Sequence, residues 1–362
     1  MQRGPEAEID LAALRHNING LYRETGRPVI AVVKADAYGH GAVEVSKALE
    51  KEKGKVLAFA VAFLSEARQL REAGIKHQIL VLFDNEDPAE FIKSGLTPVL
   101  QSVKAARAFS KKASAMGTKL PAHVKIDTGM GRMGIPWAEA HKALGEIAAL
   151  PGVRIDGLMS HISESAPGEL DFARFQVERF HELKKALAGN GIKPLCHIAG
   201  SASALILPEA RMDAVRVGLL MYGGRPYLTS NGVFKPVMKI KSRLILAKKV
   251  KKGEAVSYDR TFIAAKNSVI GIAAVGYADG YCRTLSNKAH MIVGGGKAPV
   301  CGRVCMDLTA LDITGIAGAQ AGTETVLLGG GLTASDLAGW AGTNPYEIMT
   351  SLGSRARRSY IV

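Results

Sequence analysis

The sequence predicts two domains, a (β/α)8 barrel of the TIM type followed by a mostly β domain. Short apolar runs alternate with helical patterns through the first two thirds of the 362 residues, and strictly alternating strands with glycine-rich turns follow. This length is sufficient for two domains. We expect the barrel to occupy residues 1–234 and the β domain residues 235–362, with residues 1–10 pairing with the β domain.

The predicted barrel strands are continuous apolar runs. Strands of this kind are typical of a parallel sheet that is covered on both faces. Eight such units within about 230 residues fit a barrel, and a doubly wound sheet is the alternative. The runs are Ile30–Val33, Leu57–Ala62, Gln78–Phe83, Thr97–Leu100, Ala122–Ile126, Arg154–Ser160, Pro194–Ile198 and Asp213–Val217.

Helical patterns separate these runs. One helix is predicted from Ser65, as the capping residue, to a glycine stop at Gly74. A second is predicted from Leu170 to Gly189, and its apolar stripe is expected to pack into the core. The members of that stripe are Phe172, Phe175, Phe180, Leu183 and Leu187.

The pattern changes after Phe234. From Lys235 onward, alternate residues are apolar, which indicates a strand with one buried face. The residues expected on that face are Met238, Ile240, Ser242, Leu244 and Leu246. The glycine runs Gly294–Gly296 and Gly329–Gly331 then indicate turns between short strands.

Composition argues against several classes of protein. The longest apolar candidate, Val56–Leu64, is far shorter than the roughly 18 residues that a membrane helix needs. The segment Met1–Asp10 lacks the apolar core of a signal peptide, so a cytoplasmic protein is expected.

The net charge of +14 is spread along the chain and is not interleaved with aromatic residues, so no nucleic-acid partner is expected. Four cysteines, with Cys301 and Cys305 unmatched by a second pair, predict neither a disulfide framework nor a metal site.

A lysine stands directly after the first predicted barrel strand. Active sites of barrels lie at the C-terminal ends of the strands. An amine partly buried there has a lowered pKa, which a lysine that bonds covalently to a carbonyl compound requires. Lys34 is therefore a candidate, and the alternative is a lysine whose amine reaches solvent. The next residues turn through Gly39 and Gly41 and bring the hydroxyl of Tyr38 near it.

A glycine-rich segment, Gly129–Gly134, has the spacing of a dinucleotide-binding loop. This pattern alone is a weak indication, and it lies in the middle of the chain and not in an opening βαβ unit. Within it, Arg132 could bind a carboxylate through two parallel hydrogen bonds.

The segment Val32–Gly41 resembles the cofactor-lysine signature of the alanine racemase family. The resemblance runs along the whole chain. Further matching segments are Glu8–Leu11 with Leu14 and Asn17, Lys125–Gly134, Val256–Tyr258, Gly276–Tyr281, Gly302–Asp307 and Pro345–Glu347. The resemblance implies a barrel followed by a β domain, in agreement with the pattern of elements.

The resemblance also implies the chemistry. It implies pyridoxal 5'-phosphate as the cofactor, alanine as the amino-acid substrate, a homodimer with shared active sites, and D-alanine supply for peptidoglycan. By resemblance, Lys34 and Tyr258 are the catalytic bases, and Arg132, Met306 and Tyr277 contact the substrate. By resemblance again, the cofactor is bound by Lys34, Tyr38, His161, Ser201, Arg216, Gly218, Leu219 and Tyr346.

Two of these assignments have a chemical rationale. Racemisation removes a proton from one face of the α-carbon and returns one to the other, so a second base is required beside Lys34. Tyr258 of the other subunit supplies it by resemblance. Arg216, which by resemblance faces the pyridine nitrogen, cannot accept a proton, and so it keeps that nitrogen neutral. With a neutral ring nitrogen, the negative charge left on the α-carbon is less delocalised into the ring, which favours the return of a proton to that carbon.

Some features leave the exact activity open. Lys125 matches a family lysine that is often carbamylated and that supports Arg132, and its carbamylation here is a hypothesis. Asn344 stands where many alanine racemases have an apolar gate residue, which leaves open a racemase of broader specificity. A fold-related basic amino-acid decarboxylase would share the barrel, the lysine and the cofactor, and a non-catalytic cofactor carrier would share the barrel alone.

Overall fold

The computed structural model describes residues 4–164, 166, 168, 170–224, 234–353 and 355–362. The strands are β1 (Glu6–Asp10), β2 (Val29–Val32), β3 (Val56–Val61), β4 (Gln78–Val81), β5 (Thr97–Leu100), β6 (Leu120–Asp127), β7 (Ile135–Pro136), β8 (Val153–Met159), β9 (Leu195–His197), β10 (Val215–Val217), β11 (Met238–Val250), β12 (Ala255–Val256), β13 (Phe262–Ile263), β14 (Ser268–Ala273), β15 (His290–Val293), β16 (Gly296–Pro299), β17 (Thr309–Asp312), β18 (Glu324–Leu328) and β19 (Arg357–Ile361). The α-helices are α1 (Leu11–Thr25), α2 (Lys34–Tyr38), α3 (Ala42–Leu49), α4 (Leu64–Glu72), α5 (Pro88–Lys93), α6 (Val103–Ala115), α7 (Ala140–Ala148), α8 (Asp171–Gly189), α9 (Ser201–Ile206), α10 (Ala334–Ala341) and α11 (Pro345–Ser351).

Eight parallel strands form the barrel. They are hydrogen-bonded in the order β10, β2, β3, β4, β5, β6, β8, β9. Backbone hydrogen bonds also join the two ends of this order, from the N–H of Asp213 to the carbonyl of Cys196 and from the N–H of Arg216 to the carbonyl of Ala199, each 3.0 Å. The predicted barrel is therefore confirmed, and the doubly wound sheet is wrong. Every residue of β2 and β5 is buried, as their continuous apolar sequences indicated.

Helix α8 differs in part from its prediction. Phe180, Leu183 and Leu187 are buried against the barrel as expected. Phe172 and Phe175, expected in the same core stripe, are each 41% exposed, so that prediction was wrong for them. The first turns of α8 follow the loop after β8 and pack on the active-site face of the barrel, where the ring of Phe172 lies beside Gly129.

Helix α4 begins earlier than Ser65. Its first residue is Leu64, and Phe63 precedes the helix as its N-cap. The carboxylate of Glu66 accepts hydrogen bonds from the backbone N–H groups of Ala62 and Phe63, at 2.6 and 3.2 Å. The N–H of Leu64, in the first turn, is accepted by the carboxylate of Asp84 at 3.0 Å. Two carboxylates therefore satisfy these donors at the start of the helix, and Ser65 is not its cap.

The second domain is built around the long strand β11. It pairs antiparallel with β1, β14 and β18. Residues 238, 240, 242 and 244 are buried as predicted, whereas Leu246 is 48% exposed and was predicted wrongly. The register with β14 shifts between Leu244 and Leu246, and such a bulge turns the following side chains to the other face.

The two ends of the chain meet in the sheet of the second domain. Strand β1 pairs antiparallel with β11 and parallel with the C-terminal strand β19, and it continues directly into the barrel helix α1. Between the domains, the side chain of Asn17 hydrogen-bonds to the backbone of Met221 and Lys235. The domain boundary between residues 234 and 235 stays a prediction. No helix in the described parts of the chain combines the length and the apolarity needed to cross a bilayer.

Candidate active site

A cavity of about 450 Å³ opens at the C-terminal ends of the barrel strands. The position agrees with the rule for barrel enzymes. Nine of the predicted site residues line it, namely Lys34, Tyr38, Arg132, His161, Ser201, Arg216, Gly218, Leu219 and Tyr346. The remaining predicted residues, Tyr258, Tyr277 and Met306, do not line this cavity in the described chain.

Lys34 begins an unusual turn. The four residues after it, Ala35, Asp36, Ala37 and Tyr38, have φ angles of 51° to 54°. Left-handed backbone costs L-residues roughly 1–2 kcal/mol each, and non-glycine residues seldom adopt it in succession. The surrounding structure must therefore hold this turn. Part of the support comes from Glu66, whose carboxylate accepts the N–H of Ala35 at 2.6 Å.

The surroundings of Lys34 lower the pKa of its amine. Burial lowers its pKa, and the positive charges of Arg132 and Arg216 lower it further, against an opposing effect of Glu66. The Nζ atom lies 5.2 Å from the centre of the Phe83 ring. A lysine with a lowered pKa has a free electron pair for a larger part of the time, as a nucleophile or a base requires.

Arg216 is buried in the floor of the cavity. Its guanidinium donates to Nδ1 of His197 at 2.7 Å, to Nδ1 of His161 at 2.9 Å and to the carbonyl of Ser160 at 2.9 Å. All three partners are neutral acceptors, so these contacts are hydrogen bonds and not ion pairs. Burial, followed by the charge of Arg132, lowers the pKa of Arg216 to about 10.

These contacts determine the protonation of the neighbouring histidines. Because Nδ1 of His197 accepts from Arg216, its Nε2 carries the proton and donates to Nδ1 of His123 at 2.8 Å. Burial lowers the pKa of His123 to about 4 and holds the pKa values of His161 and His197 far below their usual range. The cations around the cavity reinforce this. The barrel interior therefore presents neutral imidazoles to Arg216 at neutral pH.

Arg132 is presented by a tight loop after β6. The carboxylate of Asp127 accepts the N–H groups of Gly129, Gly131 and Arg132 at 2.9 to 3.1 Å. These bonds lower the pKa of Asp127 although burial opposes them. The loop leads into the short strand β7 and not into a helix. The glycines therefore allow a tight loop whose N–H groups bind the carboxylate of Asp127, and the dinucleotide-binding interpretation is wrong.

Lys125 also lines the cavity. Burial and the charges of Arg216 and Arg132 lower its pKa to about 8. Its Nζ lies 5.6 Å from the centre of the Phe83 ring. A partly neutral amine is the form that can react with carbon dioxide, but carbamylation of Lys125 stays a prediction.

One end of the cavity forms a close-fitting polar corner. The hydroxyl of Tyr38 lies so near Gly218 that a Cβ atom there would be 2.5 Å from it. Ser201 begins α9, and its Oγ accepts the N–H of Leu220 at 3.4 Å. The Tyr346 ring stands edge-on to the Tyr38 ring at 5.9 Å. Hydroxyls and backbone N–H groups at helix starts are suited to a phosphate.

Sequence reasoning missed the apolar wall of this cavity. Leu82, Phe83, Met159 and Val32 line it. Each lies at or just after the C-terminal end of a barrel strand, and that position was the available signal. The position after a strand was used to select polar residues only. Phe83 occupies such a position too, and its aromatic ring lies beside the amines of Lys34 and Lys125.

Tyr258, Tyr277 and Met306 lie together on the second domain, on three loops that we call the second-domain patch. The hydroxyl of Ser257 donates to the carbonyl of Arg303 at 2.6 Å, and the N–H of Tyr277 donates to the carbonyl of Cys305 at 3.0 Å. In the single chain Tyr258 is 67% exposed, Met306 55% and Tyr277 42%. Large exposed apolar and aromatic side chains grouped on neighbouring loops are typical of an interaction site.

Asn344 has a local structural role. Its side chain accepts the N–H of Glu347 at 3.0 Å and so caps helix α11, which carries Tyr346. The start of helix α11 is therefore a sufficient reason for an asparagine at this position. This weakens the argument that Asn344 forms a polar gate for larger substrates.

Comparison with known proteins identifies the family. The N-terminal domain model of alanine racemases matches residues 9–226, and the C-terminal domain model matches residues 237–360. An alanine racemase of Thermodesulfovibrio yellowstonii is 46% identical over 371 residues, covering 100% of this chain and 99% of that protein.

Two solved structures show the same fold over the full length. An alanine racemase from Streptomyces lavendulae has a TM-score of 0.93 at 32% identity, covering 100% of this chain and 98% of that one. One from Bartonella henselae, described with covalently bound pyridoxal phosphate, has a TM-score of 0.90 at 27% identity, covering 99% and 100%. By sequence and by fold, this chain belongs to the alanine racemase family.

Proposed function

We propose that this protein interconverts L-alanine and D-alanine with pyridoxal 5'-phosphate bound in the barrel cavity, and so supplies D-alanine for peptidoglycan. The observation that carries the proposal is Lys34, whose amine lies in the cavity with a lowered pKa beside two arginines. The matching relatives are named as alanine racemases. A solved relative with covalently bound pyridoxal phosphate supports the cofactor.

The residues of the cavity fit this cofactor. Lys34 would bind its aldehyde covalently. The polar corner formed by Tyr38, Ser201, Gly218, Leu219 and Tyr346 would hold its phosphate, because hydroxyl groups and backbone N–H groups lie together there. The absence of a side chain at Gly218 lets the Tyr38 hydroxyl lie against the backbone of this corner. When bound, pyridoxal phosphate stabilises the negative charge left on the α-carbon as its proton departs.

The floor and side of the cavity would set the electronic character and the orientation. His161 would contact the ring, and Arg216 would face the ring nitrogen as a donor that accepts no proton. The neutral His161 and His197 hold the Arg216 guanidinium in place through their Nδ1 atoms. Arg132 would bind the substrate carboxylate through its planar guanidinium.

The second base is proposed to come from another copy of the chain. Lys34 would hold or release a proton at Nζ on one face of the α-carbon, and the Tyr258 hydroxyl would do so on the other. Tyr258 lies on the exposed second-domain patch and not in the cavity of its own chain. A homodimer in which each patch covers the partner's cavity would complete two sites and bury the patch. Tyr277 and Met306 would then contact substrate at the entrance.

The test is a direct assay of racemisation. The cofactor-loaded protein is incubated with L-alanine, L-serine, L-lysine and L-arginine in separate reactions, with Lys34→Ala as the blank, and D-isomers are quantified by chiral chromatography. We expect conversion of alanine above all. Similar conversion of the larger amino acids would indicate a broad-specificity racemase. Loss of carbon dioxide without any D-isomer would overturn the proposal.

A further inference from the structure

The C-terminal strand β19 reaches from the second domain to the turn that follows Lys34. Arg358 lies in this strand. Its Nη2 atom forms an ion pair with Oδ2 of Asp36 at 2.7 Å, and its Nε donates to the carbonyl of Gly39 at 2.9 Å. One guanidinium therefore binds both the middle and the end of the left-handed turn.

Asp36 passes this contact on to the next helix. While Oδ2 of Asp36 pairs with Arg358, its Oδ1 accepts the N–H of Ala42 at 2.7 Å, at the start of α3. The backbone of Asp36 also accepts the N–H of Gly41 at 2.9 Å. Asp36 thus ties the turn to α3 on one side and to β19 on the other.

The approach of β19 is close. A Cβ atom at Gly41 would overlap the hydroxyl of Tyr360, and it would lie 3.5 Å from Cδ of Arg358. Gly41 also has a φ of +91°. Strand β19 is in turn held in register by β1, where Ala7 lies opposite Arg358. The turn is therefore supported by a strand that is paired into the sheet of the other domain.

We propose that Arg358 is a positioning residue that fixes the left-handed turn, and with it Lys34 and Tyr38, for the cofactor. The inference rests on the proposed function. Four successive residues with φ near +50° are held only if outside contacts oppose their relaxation, and Arg358 makes two of these contacts. Without it, the turn samples other conformations, and the lysine amine and the tyrosine hydroxyl no longer hold their relative positions in the cavity.

The experiment compares three variants with the unchanged protein. Arg358→Ala removes both contacts. Asp36→Asn removes the charge but keeps an oxygen that can accept the N–H of Ala42, so it is the milder change. Arg357→Ala is the matched control, since Arg357 lies in the same strand and pairs with Glu6 on the surface. For each, the dissociation constant of pyridoxal phosphate is measured from its bound absorbance, and the thermal midpoint is measured without cofactor.

We expect Arg358→Ala to weaken cofactor binding roughly tenfold, with a smaller effect in the same direction for Asp36→Asn and none for Arg357→Ala. Equal dissociation constants for Arg358→Ala and Arg357→Ala would overturn the inference. A lowered thermal midpoint of Arg358→Ala with an unchanged dissociation constant would also overturn it, because Arg358 would then contribute to stability alone. If Arg358→Ala does not fold, Asp36→Asn decides between these outcomes.

The proposed function fails separately from this inference. If the unchanged protein binds no pyridoxal phosphate or forms no D-alanine, the proposed function is wrong and the positioning role falls with it. If the unchanged protein does both and Arg358→Ala binds the cofactor equally well, only the positioning role is wrong.

Discussion

A hybrid dimer tests whether each site takes one base from each chain. Lys34 lines the barrel cavity, and Tyr258 lies outside it on the exposed second-domain patch of the same chain. One subunit would carry Lys34→Ala and the other Tyr258→Phe, each with a different affinity tag. Purification on both tags in succession isolates dimers that contain one of each.

The expected activity follows from counting sites. In a shared arrangement, one of the two sites in the hybrid joins both substitutions, and the other joins an intact Lys34 with an intact Tyr258. The hybrid should therefore show about half the activity of the unchanged dimer, because a two-fold dimer has two equivalent sites. If both bases came from one chain, each site would lack one of them, and the hybrid would be inactive.

The assay is D-alanine formation at saturating L-alanine, with dimer concentration determined from absorbance. Dimers of each single variant should be inactive or nearly so. A hybrid of the unchanged chain with Tyr22→Phe is the matched control, since Tyr22 is an exposed tyrosine on α1, 39% accessible. An inactive Lys34→Ala/Tyr258→Phe hybrid beside a fully active control would refute the shared site.

Three further predictions follow from packing and protonation. Gly218→Ala should weaken pyridoxal phosphate binding roughly tenfold, because the new methyl would lie 2.5 Å from the Tyr38 hydroxyl; unchanged binding in a titration would contradict the fit of this corner. Phe180→Ala should lower the free energy of unfolding by roughly 3–5 kcal/mol, since the ring is fully buried; a loss below about 1 kcal/mol in urea denaturation would show that α8 packs loosely there. Burial lowers the pKa values of His40 and His123 from 6.5 to about 4. As the pH falls from 6.5 toward 4, these histidines are therefore protonated in the unfolded chain but not in the folded one, and the free energy of unfolding decreases. The loss should approach roughly 3 kcal/mol for each histidine, and equal unfolding free energies at pH 7 and near pH 4 would refute it.

Much of the site could be predicted because it depends on strand ends. A residue that closely follows a buried parallel strand, such as Lys34 or Gly218, reaches the active-site face whatever the details of packing. The polar residues at these ends could therefore be picked out, and family motifs supplied their roles. Phe83 occupies an equivalent position, but from the sequence an apolar side chain there is indistinguishable from a core residue. Only the structure shows that it lines the cavity.

The two wrong predictions of buried residues, on α8 and on β11, have different causes. The buried face of α8 is continued toward its start by Ala173, Gln176 and Val177, at regular helical spacing from Phe180. Phe172 and Phe175 lie outside that face, and the ring of Phe172 packs beside Gly129. Leu246 keeps the alternation of β11, but a bulge against β14 reverses the face it occupies. The extra residue of a bulge leaves no periodic signal in the chain, whereas the buried face of α8 does follow the helical period and was assigned in part to the wrong residues.

The sequence by itself determined the alternation of strands with helices, the β domain and the residue types of the site, because apolar periodicity and the order of elements along the chain depend on local residues. The closure of the parallel strands into a barrel was decided by the tertiary structure. The tertiary structure decided how these residues act. It supplied the neutral histidines that hold Arg216, the left-handed turn after Lys34 and the contact of Arg358 with Asp36 from the opposite end of the chain. Burial, tautomer and strain depend on groups that are distant in the chain and adjacent in space, and no local pattern encodes that proximity.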